Sequence, residues 1–329
     1  MLGKIRTGLY SGLIIHYSKL SPNTTLASAR IAWKLSNATG WPIMDRWDEE
    51  SISKYIRNYN RDILVVVSSP YIAAPKEFRD TIAKLAFLSK LYIFCVNDYK
   101  LSAPGQISSL FNRRGREQNK LVWSTIPSWK KHEFDRYINW NKSTWSNDIR
   151  FLKTPMKRVT YYGSFRKGRE ACFNRLFPSN DEYPLVISTS ARARKQFSEL
   201  WPDVEITLPN KNGLLEWLST SACSLYLEDE YSHKTYTSPA NRFYECLSSG
   251  TGIIFDEACI HTFDEAGYNI RPFVARNAKE VAELFSEYKW VRKTQRKLWY
   301  RDYSEELRND IHEAIKESIP LALKHYGTV

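Results

Sequence analysis

Residues 159–170 have the side-chain types that bind a phosphate group. The segment reads Val-Thr-Tyr-Tyr-Gly-Ser-Phe-Arg-Lys-Gly-Arg-Glu and passes from a β-rich run through a small-residue turn into a helical pattern. Glycine lets a backbone approach an anion, N–H groups at a helix N-terminus favour negative charge, and arginine offers a bidentate guanidinium. The candidate phosphate ligands are therefore Gly163, Ser164, Arg166 and Arg169.

A second candidate segment begins at Ser238 and reads Ser-Pro-Ala-Asn-Arg-Phe-Tyr-Glu. It opens another helical pattern, in which Arg242 and Glu245 are three residues apart and share a helix face. An arginine there can hold a phosphate while a glutamate holds the two hydroxyls of a ribose. Together the two segments indicate a nucleotide-diphosphate site that lacks the Lys-Ser/Thr pair of a Walker sequence.

Three motifs of the chain match a known family. They are Tyr162-Gly163-Ser164-Phe165-Arg166-x-Gly168, Arg242-x-x-Glu245 with the downstream run Ile253-Ile254-Phe255-Asp256-Glu257, and, earlier, Asp98-Tyr99-Lys100-Leu101 after an apolar run at 91–96. On these motifs the chain resembles the DNA β-glucosyltransferases of T-even bacteriophages. The similarity covers most of the second half, and in the first half it lies in the hydrophobic pattern.

The resemblance implies the α/β GT-B fold. In that fold two Rossmann-like domains have parallel sheets that face a central cleft, and a C-terminal helix crosses back to the N-terminal domain. We place an N-terminal acceptor- and DNA-binding domain at 1–155, a nucleotide-sugar-binding domain at 156–300 and the returning helix at 301–329. The length of 329 residues agrees with a two-domain organisation, since a chain of this size usually forms domains of about 150 residues.

The resemblance also implies roles for individual residues. Asp98 aligns with the family's catalytic aspartate, the base for the acceptor hydroxyl, although an aspartate there could simply cap the turn after its strand. Arg166 and Arg242 would meet the charge that develops on the departing diphosphate. Glu245 would bind the ribose hydroxyls, and Leu208 falls where the family presents backbone groups to uracil.

Two positions depart from the family pattern. The family's second arginine of the turn aligns with Glu170, so Arg169 could bind the diphosphate or could be a solvated residue of the first helical turn. Near the first predicted helix, Thr24 and Thr25 stand where the family has a glutamate for the acceptor or the sugar. The identity of the transferred sugar therefore stays open.

The implied reaction moves a sugar from a UDP-sugar to 5-hydroxymethylcytosine, or to a related hydroxymethylpyrimidine, in double-stranded phage DNA. The donor would be UDP-glucose or a UDP-pentose, and Mg²⁺ or Mn²⁺ could assist release of the diphosphate. A single base, with no second carboxylate in an obvious nucleophile position, favours an inverting single displacement. We expect a monomer that extrudes its target base from the duplex.

The charge of the chain points to a polyanionic partner. The formal net charge is +12, and surplus Lys and Arg gain affinity by releasing phosphate counterions, although an anionic membrane and simple solubility also agree with this charge. The basic, tryptophan-rich stretch at 103–147 contains a cluster predicted to contact DNA phosphates, formed by Arg113, Arg114 and Arg116. The alternative is a solvated loop whose tryptophans belong to the core.

The cysteine pattern and the apolar runs indicate the cellular compartment of the protein. The five cysteines are scattered without a Cys-x-x-Cys pair, and the six histidines lack metal-ligand spacing, which indicates structural thiols and no zinc site. No apolar run approaches the roughly 20 residues of a membrane span. We therefore expect a soluble, reduced cytoplasmic protein, in the infected bacterial host if the resemblance holds, with no membrane partner.

Apolar runs alternate with helical patterns along the chain, which predicts βαβ units and parallel sheets. In the first half we predict strands at 8–16, 63–68 and 91–96 and helices at 25–35 and 78–88. In the second half we predict strands at 159–162, 184–188, 204–207, 224–227 and 252–255. A last helix is predicted from 303 to 318, where Pro320 should stop or kink it.

Two other functions stay open. The first is a glycosyltransferase that acts on a lipid or polysaccharide, for which we would expect a basic amphipathic helix; the segment at 280–297 has cations only toward its end. The second is a non-catalytic nucleic-acid-binding protein on the same fold. Such a protein would need neither Asp98 nor the pair Arg242 and Glu245.

Overall fold

The computed structural model describes residues 11–16, 27–45, 48, 50, 51, 54, 57–67, 76–96, 120–125, 136–148, 152, 154–179, 182–207, 213–229, 232, 233 and 238–324. The chain divides into two compact units. The first unit takes Met1–Ser143 and Tyr303–Val329, and the second takes Thr144–Asp302. Each unit is built on its own parallel sheet.

The sheet of the first unit has the strand order β2-β1-β3-β4-β5-β6 in its described part. Its strands are β1 (Gly12–Ile15), β2 (Ile43–Met44), β3 (Ile63–Val67), β4 (Leu91–Val96), β5 (Lys120–Ser124) and β6 (Arg136–Tyr137). All neighbouring strands are parallel. All five residues of β3 are buried, as expected for a central strand with both faces covered. Helices α1 (Ala27–Thr39) and α2 (Lys76–Leu88) form the connections predicted as helical.

The sheet of the second unit has the strand order β12-β11-β10-β7-β8-β9. Its strands are β7 (Met156–Tyr162), β8 (Leu185–Ser188), β9 (Glu205–Thr207), β10 (Ser221–Tyr226), β11 (Gly252–Asp256) and β12 (Val274–Ala275). Read from the opposite edge, this is the 3-2-1-4-5-6 order of a dinucleotide-binding fold. The sequence order of the strands reverses between β7 and β10, which are hydrogen-bonded neighbours.

Seven described helices belong to the second unit and one long helix follows it. They are α3 (Glu170–Leu176), α4 (Ala191–Leu200), α5 (Leu214–Ser219), α6 (Asn241–Ser249), α7 (Ile260–Glu265), α8 (Ala278–Ser286), α9 (Tyr288–Trp299) and α10 (Tyr303–Lys324). The segment at 280–297 is thus two helices. Its cations are concentrated on the second, α9.

Helix α10 returns to the first unit and completes its core. The apolar stripe Leu307, Ile311, Ala314 and Ile315 is buried in the same cluster as strand residues of the first sheet. Pro320 is predicted to stop or kink this helix, and the stop is wrong, because α10 continues to Lys324. The missing proline N–H removes one main-chain bond, but Ile319 still packs against this core.

The division between the units falls earlier than the predicted boundary at 155/156. Thr144 and Ser146 already belong to the second unit. The Thr144 hydroxyl donates to the Asn241 carbonyl at 3.4 Å, and the Ser146 N–H donates to the Ser248 hydroxyl at 2.9 Å. These bonds tie the segment to α6 before the strand β7 begins.

The tryptophans of the stretch at 103–147 are core residues wherever the structure describes them. Trp123, Trp140 and Trp145 are all buried. The rings of Trp123 and Trp140 stack with centroids 6.4 Å apart. This confirms the alternative that assigned the tryptophans to the core.

Candidate phosphate and ribose site of the second unit

The candidate residues of the second unit converge at the reversal point of its sheet. The turn that starts at Gly163 follows the carboxyl end of β7, and Glu228 and Asp229 follow the carboxyl end of the neighbouring β10. In open parallel sheets, ligands bind outside the carboxyl ends of the strands at this point. The helix α6, which carries Arg242 and Glu245, contacts β10 and β11.

The turn after β7 depends on glycine. Gly163 has φ +145°, a conformation that L side chains rarely adopt, and an added Cβ would lie 3.2 Å from the Tyr161 hydroxyl. Its N–H donates to the Ser188 carbonyl at 3.1 Å, and its carbonyl accepts from the Thr189 hydroxyl at 2.6 Å. The chain then leaves the sheet, so that Ser164 and Arg166 are exposed.

Arg169 is buried rather than solvated. Its side chain is only 3% exposed, and its Nη2 donates to Oε2 of Glu228 at 2.6 Å. Its Nε lies 3.5 Å from Oδ2 of Asp229, and its Nη1 donates to the Tyr161 hydroxyl at 3.3 Å. The alternative of a solvated first-turn residue is therefore wrong, and Arg169 is part of a buried ionic network.

Arg242 lies on the other side of the same carboxylate. Its Nη2 donates to Oε1 of Glu228 at 3.4 Å, and its Nη1 donates to the Leu227 carbonyl at 3.0 Å. Its guanidinium carbon also lies 5.7 Å from the ring centroids of Tyr161 and Tyr226, within cation–π range. Burial alone would lower the pKa of Arg242, but Glu228 together with Tyr161, Tyr162 and Tyr226 raises it overall. Arg242 is a permanent cation held in one place.

Two carboxylates that the sequence analysis missed hold these arginines together. Glu228 bridges Arg169 and Arg242, while Oδ2 of Asp229 accepts from Nη1 of Arg166 at 3.3 Å. Burial would raise the pKa of Asp229, but hydrogen bonds from Ser232 and the nearby arginines lower it overall. Sequence reasoning could have identified Glu228 and Asp229 as candidate site residues, since both directly follow the carboxyl end of a predicted strand.

Glu245 is a buried residue and not a helix-surface glutamate. Its Oε2 accepts a hydrogen bond from the Tyr162 hydroxyl at 2.9 Å. Burial and the neighbouring carboxylate raise the pKa of Tyr162 well above its usual value, so the phenol stays a donor. The ring of Tyr162 also lies 5.9 Å from the Arg242 guanidinium carbon. Tyr162 therefore links the two predicted ligands of α6 to the strand β7.

The other predicted site residues lie outside the described residues. These are the candidate base Asp98, the candidate uracil contact Leu208, and the candidate DNA cluster Arg113, Arg114 and Arg116. In the sequence, Asp98 follows β4 and Leu208 follows β9.

The described donors do not make a metal site. Among the residues that the structure describes, no group of three His, Cys, Asp or Glu side chains is placed to hold a metal ion. Glu228 and Asp229 are instead engaged with guanidinium groups. Nor is any described helix both long and apolar enough to cross a membrane.

Comparison with known proteins identifies the fold. No family model matches the chain, and no curated protein matches it in sequence. A DNA-modifying β-glucosyltransferase, solved with and without uridine diphosphoglucose, is 17% identical, with a TM-score of 0.62 over 94% of this chain and 98% of its own.

Two further solved structures have the same fold. The T4 phage enzyme BGT in complex with UDP and Mn²⁺ is 16% identical, with a TM-score of 0.61 over 94% of this chain and 99% of its own. An α-glucosyltransferase in complex with UDP and a 13-mer DNA containing an HMU base is 12% identical, with a TM-score of 0.58 over 95% of this chain and 100% of its own. The chain thus has the GT-B fold that the sequence analysis expected.

Proposed function

We propose that this protein is an inverting glycosyltransferase that moves a sugar from a UDP-sugar to the hydroxymethyl group of 5-hydroxymethylcytosine, or of a related hydroxymethylpyrimidine, in double-stranded DNA. The observation that carries the proposal is the arginine network at the reversal point of the second sheet. Three arginines, Arg166, Arg169 and Arg242, are joined there through two carboxylates. Fixed cations at this position suit a nucleotide diphosphate.

The arginines have different parts in this proposal. Arg166 is 54% exposed and can reach a bound phosphate directly, whereas Arg242 is only 12% exposed and would meet the phosphate as a fixed, largely buried cation. Arg169 is enclosed and acts through Glu228, which it shares with Arg242. The exposed turn residue Ser164 adds a hydroxyl and a backbone N–H beside Arg166.

The nucleoside would be held from α6 and from the end of β9. One carboxylate oxygen of Glu245 is bonded to Tyr162, and a carboxylate has further lone pairs for the ribose hydroxyls. Leu208 follows β9, where backbone groups can pair with uracil. These contacts select a uridine nucleotide and leave the choice of sugar to other residues.

The chemical step is a single displacement. The oxygen of the acceptor hydroxymethyl group attacks the anomeric carbon of the sugar, and its proton passes to the carboxylate of Asp98. The bond between that carbon and the β-phosphate oxygen breaks, and its electron pair leaves with UDP. Arg166 and Arg242 stabilise the new charge. Because Glu228 and Asp229 are bound to arginines, neither is free to act as a nucleophile, which supports inversion.

Charge and fold together support DNA as the acceptor. The net charge is +12, and one solved protein with this fold was crystallised with UDP and DNA. A lipid or polysaccharide acceptor is the alternative within the same enzyme class. A non-catalytic DNA-binding protein is the alternative outside it, and the buried arginine network proposed as a diphosphate site counts against that function.

The proposal is tested by transfer itself. The protein is incubated with duplex DNA that contains 5-hydroxymethylcytosine and with a panel of UDP-hexoses and UDP-pentoses, with and without Mg²⁺ or Mn²⁺. Nucleoside mass spectrometry should then find one sugar added to the modified base and none in unmodified DNA. Absence of an adduct with every donor would contradict the function, and equal transfer to free nucleoside would contradict the duplex acceptor.

Arg166→Ala is expected to weaken UDP binding roughly ten- to a hundredfold, since a hydrogen bond to a charged group contributes about 1.5–3 kcal/mol. Uridine, which has no phosphate, should bind with nearly unchanged affinity. Isothermal titration calorimetry with the two ligands measures the difference. Folding should be unaffected because Arg166 is largely exposed.

Lys167→Ala is the matched control, since Lys167 is the next residue and is also an exposed cation. It should leave UDP affinity within a few-fold of the wild type. If both variants lose the same affinity, the effect is a general one of net charge. If Arg166→Ala weakens uridine as much as UDP, Arg166 does not contact a phosphate.

Glu245→Gln is expected to weaken uridine and UDP by similar factors, since the proposed contact is with the ribose that both ligands share. The measurement is again calorimetry, with 2′-deoxyuridine as a third ligand that should lose less affinity than uridine, because it keeps only the 3′-hydroxyl of the pair. Tyr162→Phe is the control, because it removes one internal partner of Glu245 and keeps the carboxylate. Unequal losses for uridine and UDP would place Glu245 elsewhere.

A further inference from the structure

Helix α9 carries an uncompensated row of positive charge. Its twelve residues read Tyr-Lys-Trp-Val-Arg-Lys-Thr-Gln-Arg-Lys-Leu-Trp and include five cations and no carboxylate. Lys289, Lys293 and Lys297 are each four residues apart and so lie above one another on one face. All three are exposed. In the described residues, no carboxylate pairs with any of them.

Such a row works against the stability of the helix. Like charges at i and i+4 destabilise a helix, whereas opposite charges at that spacing stabilise it. Other helices of the chain place opposite charges on one face, as in the i,i+4 pair Lys195 and Glu199 of α4 and the i,i+3 pair Glu305 and Arg308 of α10. A local choice that opposes folding is expected where it serves a function.

The opposite face of α9 is already occupied. Val291 and Trp299 are buried, and the Gln295 side chain accepts from the Ile253 N–H at 2.8 Å and donates to the Ile253 carbonyl at 2.6 Å. The Arg292 Nε donates to the Gly250 carbonyl at 2.7 Å. The helix is therefore fixed on the second unit with its lysine row outward.

This packing favours a nucleic acid over a membrane. A helix that lies in a membrane interface inserts a continuous apolar face, and the apolar face of α9 is packed on β10 and β11. The exposed apolar residues of the helix are Trp290 and Leu298, and the Trp290 ring lies 5.5 Å from the Phe273 ring. What α9 offers to a partner is chiefly positive charge.

We propose that Lys289, Lys293 and Lys297 form a docking surface for the phosphate backbone of double-stranded DNA, outside the nucleotide site. The row spans about 12 Å along the helix. A duplex carries about seven phosphate charges over that length of its axis. The contact would be independent of sequence, and as an acceptor contact it rests on the proposed function.

The test is the salt dependence of binding to an unmodified duplex. The variant carries Lys289→Gln, Lys293→Gln and Lys297→Gln together, and glutamine has a helix propensity close to that of lysine. If each lysine meets one phosphate, the slope of log K against log salt should fall by about 2.7. The melting temperature should stay the same or rise, because the repulsion within the row is removed.

A matched control removes three exposed lysines elsewhere. Lys157→Gln, Lys195→Gln and Lys316→Gln change the net charge equally and lie outside α9. In the control variant, the slope of log K against log salt should differ from that of the wild type by no more than about 0.9, the change expected for one phosphate contact. Equal slopes in the two triple variants would overturn the proposed surface, as would the absence of wild-type binding to the duplex in low salt.

Two further measurements separate the remaining outcomes. If the wild type binds vesicles of phosphatidylcholine with phosphatidylserine, and the α9 variant loses that binding but keeps its DNA slope, the surface serves a membrane and the proposal fails. Sugar transfer is assayed in parallel. A reduced slope without any transfer in the wild type would overturn the proposed enzyme and leave the surface standing, whereas transfer with an unchanged slope would overturn the surface alone.

Discussion

Replacing Asp98 by alanine is expected to abolish sugar transfer while UDP affinity changes by no more than a few-fold. A positioned base typically contributes a factor of about 10² to 10⁴ to the rate. It acts on the acceptor hydroxyl, so its loss lowers kcat and leaves the ground-state contacts of the diphosphate in place. Single-turnover transfer to hydroxymethylated duplex measures the rate, and calorimetry measures the affinity for UDP.

Asp98→Asn is the closest control, because it keeps the shape of the side chain and removes its basicity. It should be as inactive as Asp98→Ala. Retention of more than about a tenth of the wild-type rate in either variant would remove Asp98 from the role of base. A large loss of UDP affinity would instead place the residue at the nucleotide.

Glu228→Gln is expected to destabilise the second unit by about 3 kcal/mol, because removing one partner of a buried ion pair leaves the other charge uncompensated. The carboxylate of Glu228 serves both Arg169 and Arg242, and neither guanidinium is well solvated. For a unit of this size the loss corresponds to a melting temperature lower by roughly 6–12 °C. Thermal unfolding followed by circular dichroism provides the measurement.

Glu257→Gln is the matched control for this loss. Glu257 also pairs with an arginine, Arg175, at 2.9 Å, but its side chain is 44% exposed. A surface pair of this kind contributes at most about 1 kcal/mol, so the melting temperature should change little. Equal effects of the two substitutions would show that burial of the Glu228 network does not matter.

Saturating UDP should restore part of the stability that Glu228→Gln loses. A ligand that binds only the folded state stabilises it, and a diphosphate beside Arg242 would supply the negative charge that the variant lacks. Uridine should restore less than UDP. If the two ligands restore stability equally, the arginines of this network are structural and do not meet the diphosphate.

The regular part of the second unit could be predicted from sequence because its signals are local. The apolar runs that mark β7, β8, β10 and β11 are short, bounded and separated by helical patterns. The turn at Gly163 could be predicted from composition, because the backbone there has a positive φ, which glycine adopts readily. Spacing also placed Arg242 and Glu245 on one helix, and both contact Tyr162.

The burial of Arg169 could not be predicted in the same way. Whether an arginine is solvated or enclosed depends on its partners, and Glu228 lies 59 residues away in the sequence. Strand order brings the two together, because β7 and β10 are neighbours in the sheet. Periodicity predicts whether a segment is a helix or a strand, but not which element lies beside it. Ion pairs between residues of neighbouring strands therefore cannot be predicted until the sheet topology is known.

Pro320 shows the same limit for a helix end. A proline is a local signal to stop, and it predicted an end before residue 320. The helix nevertheless runs to Lys324, since the preceding turns pack an apolar stripe into a core assembled from distant strands. Tertiary packing outweighs a single lost main-chain bond.

The return of helix α10 has a consequence for synthesis on the ribosome. The first unit comprises Met1–Ser143 and Tyr303–Val329, whereas the second unit is contiguous in sequence. Domains generally fold as they emerge, so the second unit can complete its core while the unit begun earlier still lacks Leu307, Ile311 and Ile315. Of the two units, the one begun earlier is thus the later to be finished, and until α10 arrives it exposes the apolar surface that this helix covers.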